Sequence, residues 1–270
     1  MRATLFQLDL AWENPAANLD RIAAMCDENP PRPGDLIVLP ELATTAFSVA
    51  TARALAEPEN GPSVQRLQNL ARHWDTHFMA GLALLDDHGT PRNTSVLIGP
   101  NGIEARYNKL QPFSPPGENE AYPAGDCIVL APFAGHQISP FVCYDLRFPE
   151  IFRQAASAGA VLFTVIASWP EMRTEHWRLL LKARAIENQA FVIGVNRVGT
   201  DPFFRYPGCS AIIDPMGQVV CELDDREGTA TAEIRLEEAV EWRERFPALR
   251  DRRHESPRIT IHPAPGENKA

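Results

Sequence analysis

Residues 141–150, FVCYDLRFPE, place one cysteine at the end of an apolar run and follow it at once with charged residues. The pattern predicts a strand over 137–142, a sharp turn, and a helix that begins at Pro149. Such a turn lifts a side chain clear of the sheet while backbone N–H groups converge beside it, as a nucleophile requires. The same corner can also carry an inert thiol, because a buried cysteine behaves as a small hydrophobe. The role of Cys143 therefore depends on what the rest of the chain brings to it.

Alternating and continuous apolar runs recur on both sides of this corner. They predict strands over 3–10, 36–41, 77–85, 94–100, 103–109, 160–168, 190–199, 208–215, 217–223 and 228–234, and helices over 15–27, 64–74, 149–158, 174–188 and 236–245. A loop rich in proline and glycine covers 112–125. Helices between groups of strands indicate helical layers around mixed sheets. With no break in composition before about residue 255, we expect one domain over 1–255 and a loosely ordered tail over 256–270.

Composition narrows the class of protein. The net charge of −9 over 270 residues argues against nucleic acid and anionic membranes as partners. The five cysteines are scattered and odd in number, which predicts reduced thiols without a disulfide framework or zinc ribbon. The N-terminus alternates and carries Asp9, so we expect a strand and not a signal peptide. The longest uncharged apolar stretch, 158–170, is too short to span a bilayer. We therefore expect a cytoplasmic protein.

Histidine does not offer an obvious base for the thiol. His136 lies on the strand that leads to Cys143 and would point along the sheet, and His176 sits on a helix where local packing is the simpler interpretation. His73 and His77 have i,i+4 spacing, but no third ligand accompanies them. The sequence therefore predicts neither a Cys–His pair nor a metal site.

Two other residues have settings like that of Cys143. Glu41 follows the apolar run LIVLP, and Lys109 follows the strand IEARYN. Functional sites gather at the carboxyl ends of strands in open sheets. Alone, Glu41 could be a helix-terminus charge and Lys109 a loop cation. Together with a thiol they suggest chemistry, since a carboxylate can take the thiol proton and an ammonium can stabilise an oxyanion.

The order of Glu41 in LPE, Lys109 in YNK and Cys143 in CYDLRFPE resembles the nitrilase superfamily of carbon–nitrogen hydrolases. The resemblance runs from FQLDLAWENPAANLDRI to EWRERFPALRDRR. The stretches over 167–202 and 206–220 are similar to the omega-amidase branch, whose members hydrolyse the terminal amide of 2-oxo acid amides such as 2-oxoglutaramate. The resemblance implies a four-layer αββα sandwich, a homodimer that extends it, a small amide substrate, and no metal or organic cofactor.

The resemblance also assigns roles. Glu41 is then the general base, and Lys109 and the backbone N–H of Tyr144 form the oxyanion hole. The family's second glutamate, in the loop after the lysine, matches Glu118, with Glu120 as the alternative if the loop alignment slips by two. Many relatives carry His-Leu-Phe after the lysine where this chain has Gln-Pro-Phe over 111–113, which leaves the substrate open.

Selection of the substrate depends on three further candidates. Arg147 either clamps a substrate carboxylate or braces the turn through an ion pair with Asp145 or Glu150. Trp169, past a strand end, and Phe47 are candidates for the pocket wall, although large aromatics there are often plain core.

An N-carbamoyl amine hydrolase or a nitrilase would use the same triad. The third hypothesis is a non-catalytic interaction protein on the same scaffold. The matched base, lysine and thiol argue against it, because a binding protein does not need them.

Overall fold

A computed structural model describes residues 1–253 and 258–260 of the chain. The strands are β1 (Arg2–Gln7), β2 (Leu36–Val38), β3 (His77–Leu85), β4 (Pro91–Gly99), β5 (Gly102–Asn108), β6 (Ala131–Phe133), β7 (His136–Val142), β8 (Ala160–Ala167), β9 (Phe191–Asn196), β10 (Val198–Thr200), β11 (Arg205–Pro207), β12 (Ala211–Ile213), β13 (Val219–Glu222) and β14 (Gly228–Glu233). The helices are α1 (Pro15–Glu28), α2 (Ala52–Leu55), α3 (Pro62–Trp74), α4 (Glu118–Ala121), α5 (Pro149–Ser157), α6 (Thr174–Asn188) and α7 (Glu237–Arg245), and 3₁₀ turns cover Cys143–Arg147 and Glu171–Arg173.

Two mixed six-stranded sheets form the centre of the molecule. The first has the order β14-β1-β2-β3-β4-β5, and the second has the order β13-β12-β9-β8-β7-β6. In the first sheet β2 is parallel to β1 and β3, and β5 runs in the same direction because β3, β4 and β5 alternate. In the second sheet β7, β8 and β9 are parallel. The carboxyl ends of β2 and β5 therefore share one edge of the first sheet, as those of β7, β8 and β9 share one edge of the second.

The two sheets pack face to face, and helices cover their outer faces. Side chains of the first sheet such as Leu5 and Met79 belong to one apolar core with Phe141 and Val165 of the second. On the outer face of the first sheet α1 and α3 pack over β3 and β4, and on that of the second α5 and α6 pack over β8 and β9. The order of layers is helix, sheet, sheet, helix, which confirms the predicted αββα sandwich.

Local signals explain where the elements begin. Helix α1 starts after Asn14, whose Oδ1 accepts the Ala17 N–H at 3.2 Å, and Pro15 occupies the first helical position, where a missing N–H costs little. Strand β8 is buried along all eight residues between its neighbouring layers, as its continuous apolar run predicts.

The structure differs from the sequence prediction in a few short segments. The loop predicted over 112–125 contains the helical turn α4. The strand predicted over 190–199 is interrupted at Arg197, because Val198 leaves the second sheet and donates its N–H to the Leu8 carbonyl at 2.9 Å. The predicted tail over 256–270 lies outside the described residues except for 258–260, so the domain boundary stays a prediction. Within the described ranges, no helix is long and apolar enough to cross a membrane.

Candidate active site

Three strand ends supply the residues predicted to react. Glu41 lies three residues after β2, Lys109 directly follows β5, and Cys143 directly follows β7. The first two therefore come from one sheet and the third from the other. Glu118 joins them from α4, in the loop that follows the lysine. The structure thus brings together side chains that are 102 positions apart at their extremes, from 41 to 143.

The nucleophile turn is strained. Cys143 has a φ of 48°, in the left-handed region that side chains other than glycine seldom adopt. It begins the 3₁₀ turn Cys143–Arg147, and the Asp145 carboxylate reaches back to accept the Val142 N–H at 2.8 Å. Strain of this kind persists only where surrounding contacts hold it, and it is common at reacting residues. The turn directs the thiol into the cavity between the strand ends.

Four buried side chains form one hydrogen-bonded network. Lys109 Nζ donates to Glu41 Oε1 at 2.8 Å and to both oxygens of Glu118 at 2.9 and 2.8 Å. Asn93 Nδ2 donates to the same two carboxylates at 2.7 and 2.8 Å. All four residues are at most 2% exposed. Two carboxyl groups thus share one buried lysine, and Glu41 is held beside the thiol where a base is needed.

The electrostatics keep the lysine charged and the thiol protonated at rest. Burial alone would lower the pKa of Lys109, but the carboxylates of Glu118 and Glu41 outweigh it and raise the pKa. Burial raises the pKa of Glu118, against the opposing charge of Lys109. Burial and then the Glu41 carboxylate raise the pKa of Cys143 well above that of a free thiol. This thiol therefore needs a base to become a nucleophile.

Ser168 connects the base to the thiol. Its backbone N–H donates to Glu41 Oε2 at 2.8 Å, and its carbonyl oxygen lies 3.9 Å from Cys143 Sγ. Both reacting groups therefore contact the same residue at the end of β8.

Tyr144, the residue after Cys143, lies at the beginning of the 3₁₀ turn, where backbone N–H groups have no partner within the turn. Its N–H is available for the predicted oxyanion hole.

A cavity of about 160 Å³ opens above the thiol. Phe47, Lys109, Phe113, Cys143, Tyr144, Arg147, Ser168, Trp169, Pro170, Arg173, Phe204 and Tyr206 line it. It shares Phe47, Phe113, Arg173 and Phe204 with a wider apolar space of about 980 Å³ that includes Trp12 and Phe203. The smaller cavity fits a compact substrate. Both predicted wall residues, Phe47 and Trp169, line it.

Arg147 lies on this cavity and does not brace the turn as one prediction had it. Its guanidinium lies over the Trp169 ring, 4.7 Å from the centroid, and Nη2 donates to His176 Nδ1 at 3.3 Å. Within residues 1–253 it forms no ion pair with Asp145 or Glu150, so that alternative was wrong. The Asp145 carboxylate already accepts three other hydrogen bonds.

Sequence reasoning missed several residues of the site, among them Asn93, Ser168 and Arg173. Asn93 lies in the run NTS at the start of an otherwise apolar strand, and three successive polar residues in a buried strand are a signal that could have marked it. Arg173 ends the 3₁₀ turn Glu171–Arg173 after β8, which is too short to show a periodic pattern. Of the two candidates in the lysine loop, Glu118 is buried in the network and Glu120 is exposed.

Comparisons with known proteins agree with this geometry. The family model for carbon-nitrogen hydrolases matches residues 2–244. The chain is 37% identical to Omega-amidase YafV of Yersinia enterocolitica over 93% of this chain and 96% of that protein. It is 36% identical to 2-oxoglutaramate amidase of Bacillus subtilis, over 91% and 95%. A carbon–nitrogen hydrolase superfamily protein of Xanthomonas campestris, solved with an arsenic adduct in its active site, superposes with a TM-score of 0.86 at 33% identity, over 97% of this chain and 99% of that one.

Proposed function

The chain belongs to the carbon–nitrogen hydrolase family, and on that premise we propose that it is a cysteine-dependent amidase of small 2-oxo dicarboxylic acid monoamides such as 2-oxoglutaramate and 2-oxosuccinamate. The observation that carries the proposal is the buried Glu41–Lys109–Glu118 network beside a protonated thiol, on a small cavity that two arginines line. Relatives named for 2-oxoglutaramate and omega-amide hydrolysis support the substrate class.

The first half of the reaction makes a thioester. Glu41 takes the Cys143 proton as the sulfur attacks the amide carbon, and the carbonyl oxygen becomes an oxyanion. Lys109 and the Tyr144 N–H stabilise that charge, which is greatest in the transition state. The C–N bond then breaks as Glu41 returns the proton to nitrogen, and ammonia leaves. Glu118 holds Lys109 in place and does not itself react.

The second half hydrolyses the thioester. Glu41 takes a proton from water, the hydroxyl oxygen attacks the acyl carbon, and the same oxyanion hole is used again. The C–S bond breaks, the sulfur regains a proton from Glu41, and the dicarboxylic acid leaves. One water is consumed and one ammonia is released in each turnover.

Two arginines account for the acidic end of the substrate. Arg147 and Arg173 both line the cavity, and within the described part of the chain neither is ion-paired to a carboxylate. Burial and the neighbouring Arg173 charge lower the pKa of Arg147. Two cations side by side without an acid partner favour an anionic ligand, and the guanidinium fork suits a carboxylate.

An ammonia-release screen tests this proposal. We expect release from 2-oxoglutaramate and 2-oxosuccinamate, and none from the Cys143→Ala variant. Cys127→Ser is the matched control, because Cys127 is an exposed free thiol. Release of carbon dioxide with ammonia from carbamoyl amines, without activity on oxo-acid amides, would instead indicate the N-carbamoyl hydrolase alternative. Inactivity on all amides, nitriles and carbamoyl amines would refute the enzymatic proposal.

We also propose that the protein is a homodimer that uses the outer face of α6 and the turn between β12 and β13. Exposed apolar side chains gather there, with Leu179 at 63%, Ile186 at 54% and Met216 at 56%. Gly217 of this turn lies against Ile186 of α6, so the helix and the turn form one surface. Apolar surface of this kind marks an interface. Leu179→Glu should give a monomer by light scattering, whereas Val240→Glu, on α7, should leave the dimer intact; a dimeric Leu179→Glu variant would contradict the assignment.

The reduced cysteines support a cytoplasmic location, which stays a proposal. All five thiols are free. Proteins of oxidising compartments seldom keep so many unpaired cysteines.

A further inference from the structure

Asp145 is a wholly buried carboxylate that does not touch the cavity. Three donors surround it: Oδ2 accepts the Val142 N–H and the Tyr107 hydroxyl, each at 2.8 Å, and Oδ1 accepts the Gln111 N–H at 2.9 Å. The Tyr107 hydroxyl is itself the acceptor of the Leu110 N–H at 3.3 Å, so its own proton points to Asp145. All three contacts bring hydrogens to the carboxyl group.

The three donors belong to the two halves of the active site. Val142 precedes the nucleophile and ends a strand of the second sheet. Tyr107 is two residues before Lys109 on β5 of the first sheet, and Gln111 is two residues after it. One side chain therefore joins the strained cysteine turn to both flanks of the lysine. Asp145 binds Gln111 through the backbone N–H, so the contact does not use the Gln111 side chain.

We propose that ionised Asp145 is a positioning residue that fastens the Cys143 turn to the Lys109 loop, and that full activity requires its carboxylate form. The proposal deepens the function proposed above and rests on Cys143 as nucleophile. Asp145 acts through its neighbours and contacts neither substrate nor the sulfur.

The chemistry of the contacts explains why ionisation matters. A carboxylate can accept from all three donors, whereas a protonated acid must turn one hydrogen against an N–H or O–H group. Protonation therefore removes one of the three contacts and loosens either the turn or the loop. A displacement of the thiol or the lysine by about 1 Å is enough to slow the reaction strongly.

The titration of this group falls in an accessible range. Burial raises the pKa of Asp145 to about 7, while the Val142 N–H, the Lys109 charge, the Tyr107 hydroxyl and the Gln111 N–H act in the opposite direction. On the helical side, Arg184 of α6 binds the Leu146 carbonyl and not Asp145. Within residues 1–253, the charged and titratable side chains that act on Asp145 are thus Lys109 and Tyr107.

The test compares Asp145→Asn with wild type from about pH 5.5 to 8.5. The amide mimics the protonated acid, because its NH₂ group must face one of the three donors. We expect the ratio of variant to wild-type kcat/KM to be near one at the acidic end. It should fall about ten- to a hundredfold at the basic end, through a midpoint near pH 7. The rate of Cys143 alkylation by iodoacetamide, followed by peptide mass spectrometry, should give the same ratio profile without any assumption about substrate.

Asp35→Asn is the matched control. Asp35 is also buried and also accepts a backbone N–H, from Arg32 at 2.8 Å, but it is ion-paired with Arg2 at 3.1 Å and precedes the amino end of β2, on the opposite side of that strand from Glu41. Its ratio to wild type should be constant across the pH range. A constant ratio for Asp145→Asn would overturn the proposal and leave Asp145 a structural residue.

Tyr107→Phe keeps the proposal testable if Asp145→Asn does not fold. This variant removes one donor to the carboxylate and should raise the pKa of Asp145, moving the acidic limb of the alkylation and kcat/KM profiles upward by about one pH unit. An unmoved limb would refute the role. Failure of the amidase proposal looks different: wild type would release no ammonia, while the alkylation profiles would still report on Asp145.

Discussion

Glu118→Gln isolates the group that holds the lysine. Every contact of this carboxylate is with a donor: Lys109 Nζ at 2.9 and 2.8 Å, Asn93 Nδ2 at 2.8 Å and the Phe113 N–H at 2.6 Å. Glutamine has one oxygen to replace two. If that oxygen keeps Phe113 and one contact to Lys109, the amide NH₂ must face Asn93 and the ammonium. Two of the four contacts are then lost, one of them to a charged group.

The cost follows from the lost contacts. A hydrogen bond to a charged group is worth about 1.5–3 kcal/mol, which corresponds to about ten- to a hundredfold in rate. Lys109 still binds Glu41, so we expect the fold to survive. Because the lysine acts on the oxyanion and not on the ground-state amide, the loss should appear in kcat with KM little changed.

The assay is ammonia release from 2-oxoglutaramate under steady-state conditions, with thermal unfolding as a check on folding. Glu120→Gln is the matched control, since it makes the same chemical change two residues away on an exposed side chain and should stay within about twofold of wild type. An active Glu118→Gln variant, or an equal loss in Glu120→Gln, would refute the assignment of Glu118 as the residue that orients Lys109.

Three further outcomes are expected. Cys143→Ser should be nearly inactive, because burial beside Glu41 already raises the thiol pKa and a hydroxyl is a far weaker acid. Acyl adducts trapped on the wild type should map to Cys143 and not to Cys209. Arg147→Lys should lose about tenfold in kcat/KM on 2-oxoglutaramate but not on a neutral amide of equal length, and equal losses on both would rule out a carboxylate clamp. The raised pKa of Asp145 means that, between about pH 4 and 7, the folded protein holds a proton that the unfolded chain has released. The free energy of unfolding of the wild type should therefore decrease as pH rises through that range, by up to about 4 kcal/mol. Urea midpoints of Asp145→Asn should vary less over the same range.

The sequence predicted the layers correctly, and it predicted that Glu41, Lys109 and Cys143 lie together, because strands and strand ends leave periodic or ordered signals. Strand ends follow from apolar runs, and Glu41, Lys109 and Cys143 each stand directly beyond one. Short elements such as α4 and β11 span too few residues to show a period. The burial of Glu118 and exposure of Glu120 depend on that short helix. The position of Arg147 over Trp169 depends on a contact between the ends of β7 and β8, and the bond from the Ser168 N–H to Glu41 depends on a contact between the two sheets. No local pattern in the sequence contains either contact.

The buried, protonated thiol also has a consequence for oxidation. Peroxide attacks the thiolate form of cysteine, and cysteines that sense oxidants have lowered pKa values and open surroundings. Cys143 is half-buried at the cavity, and desolvation together with the Glu41 carboxylate raises the pKa of its thiol, which keeps the sulfur protonated at rest. Cys127 is exposed, but its hydrogen bond to the neighbouring Asp126 carboxylate raises the pKa of that thiol as well. Because Cys143 stays a thiol until a substrate is bound, the enzyme should keep its turnover under oxidative stress.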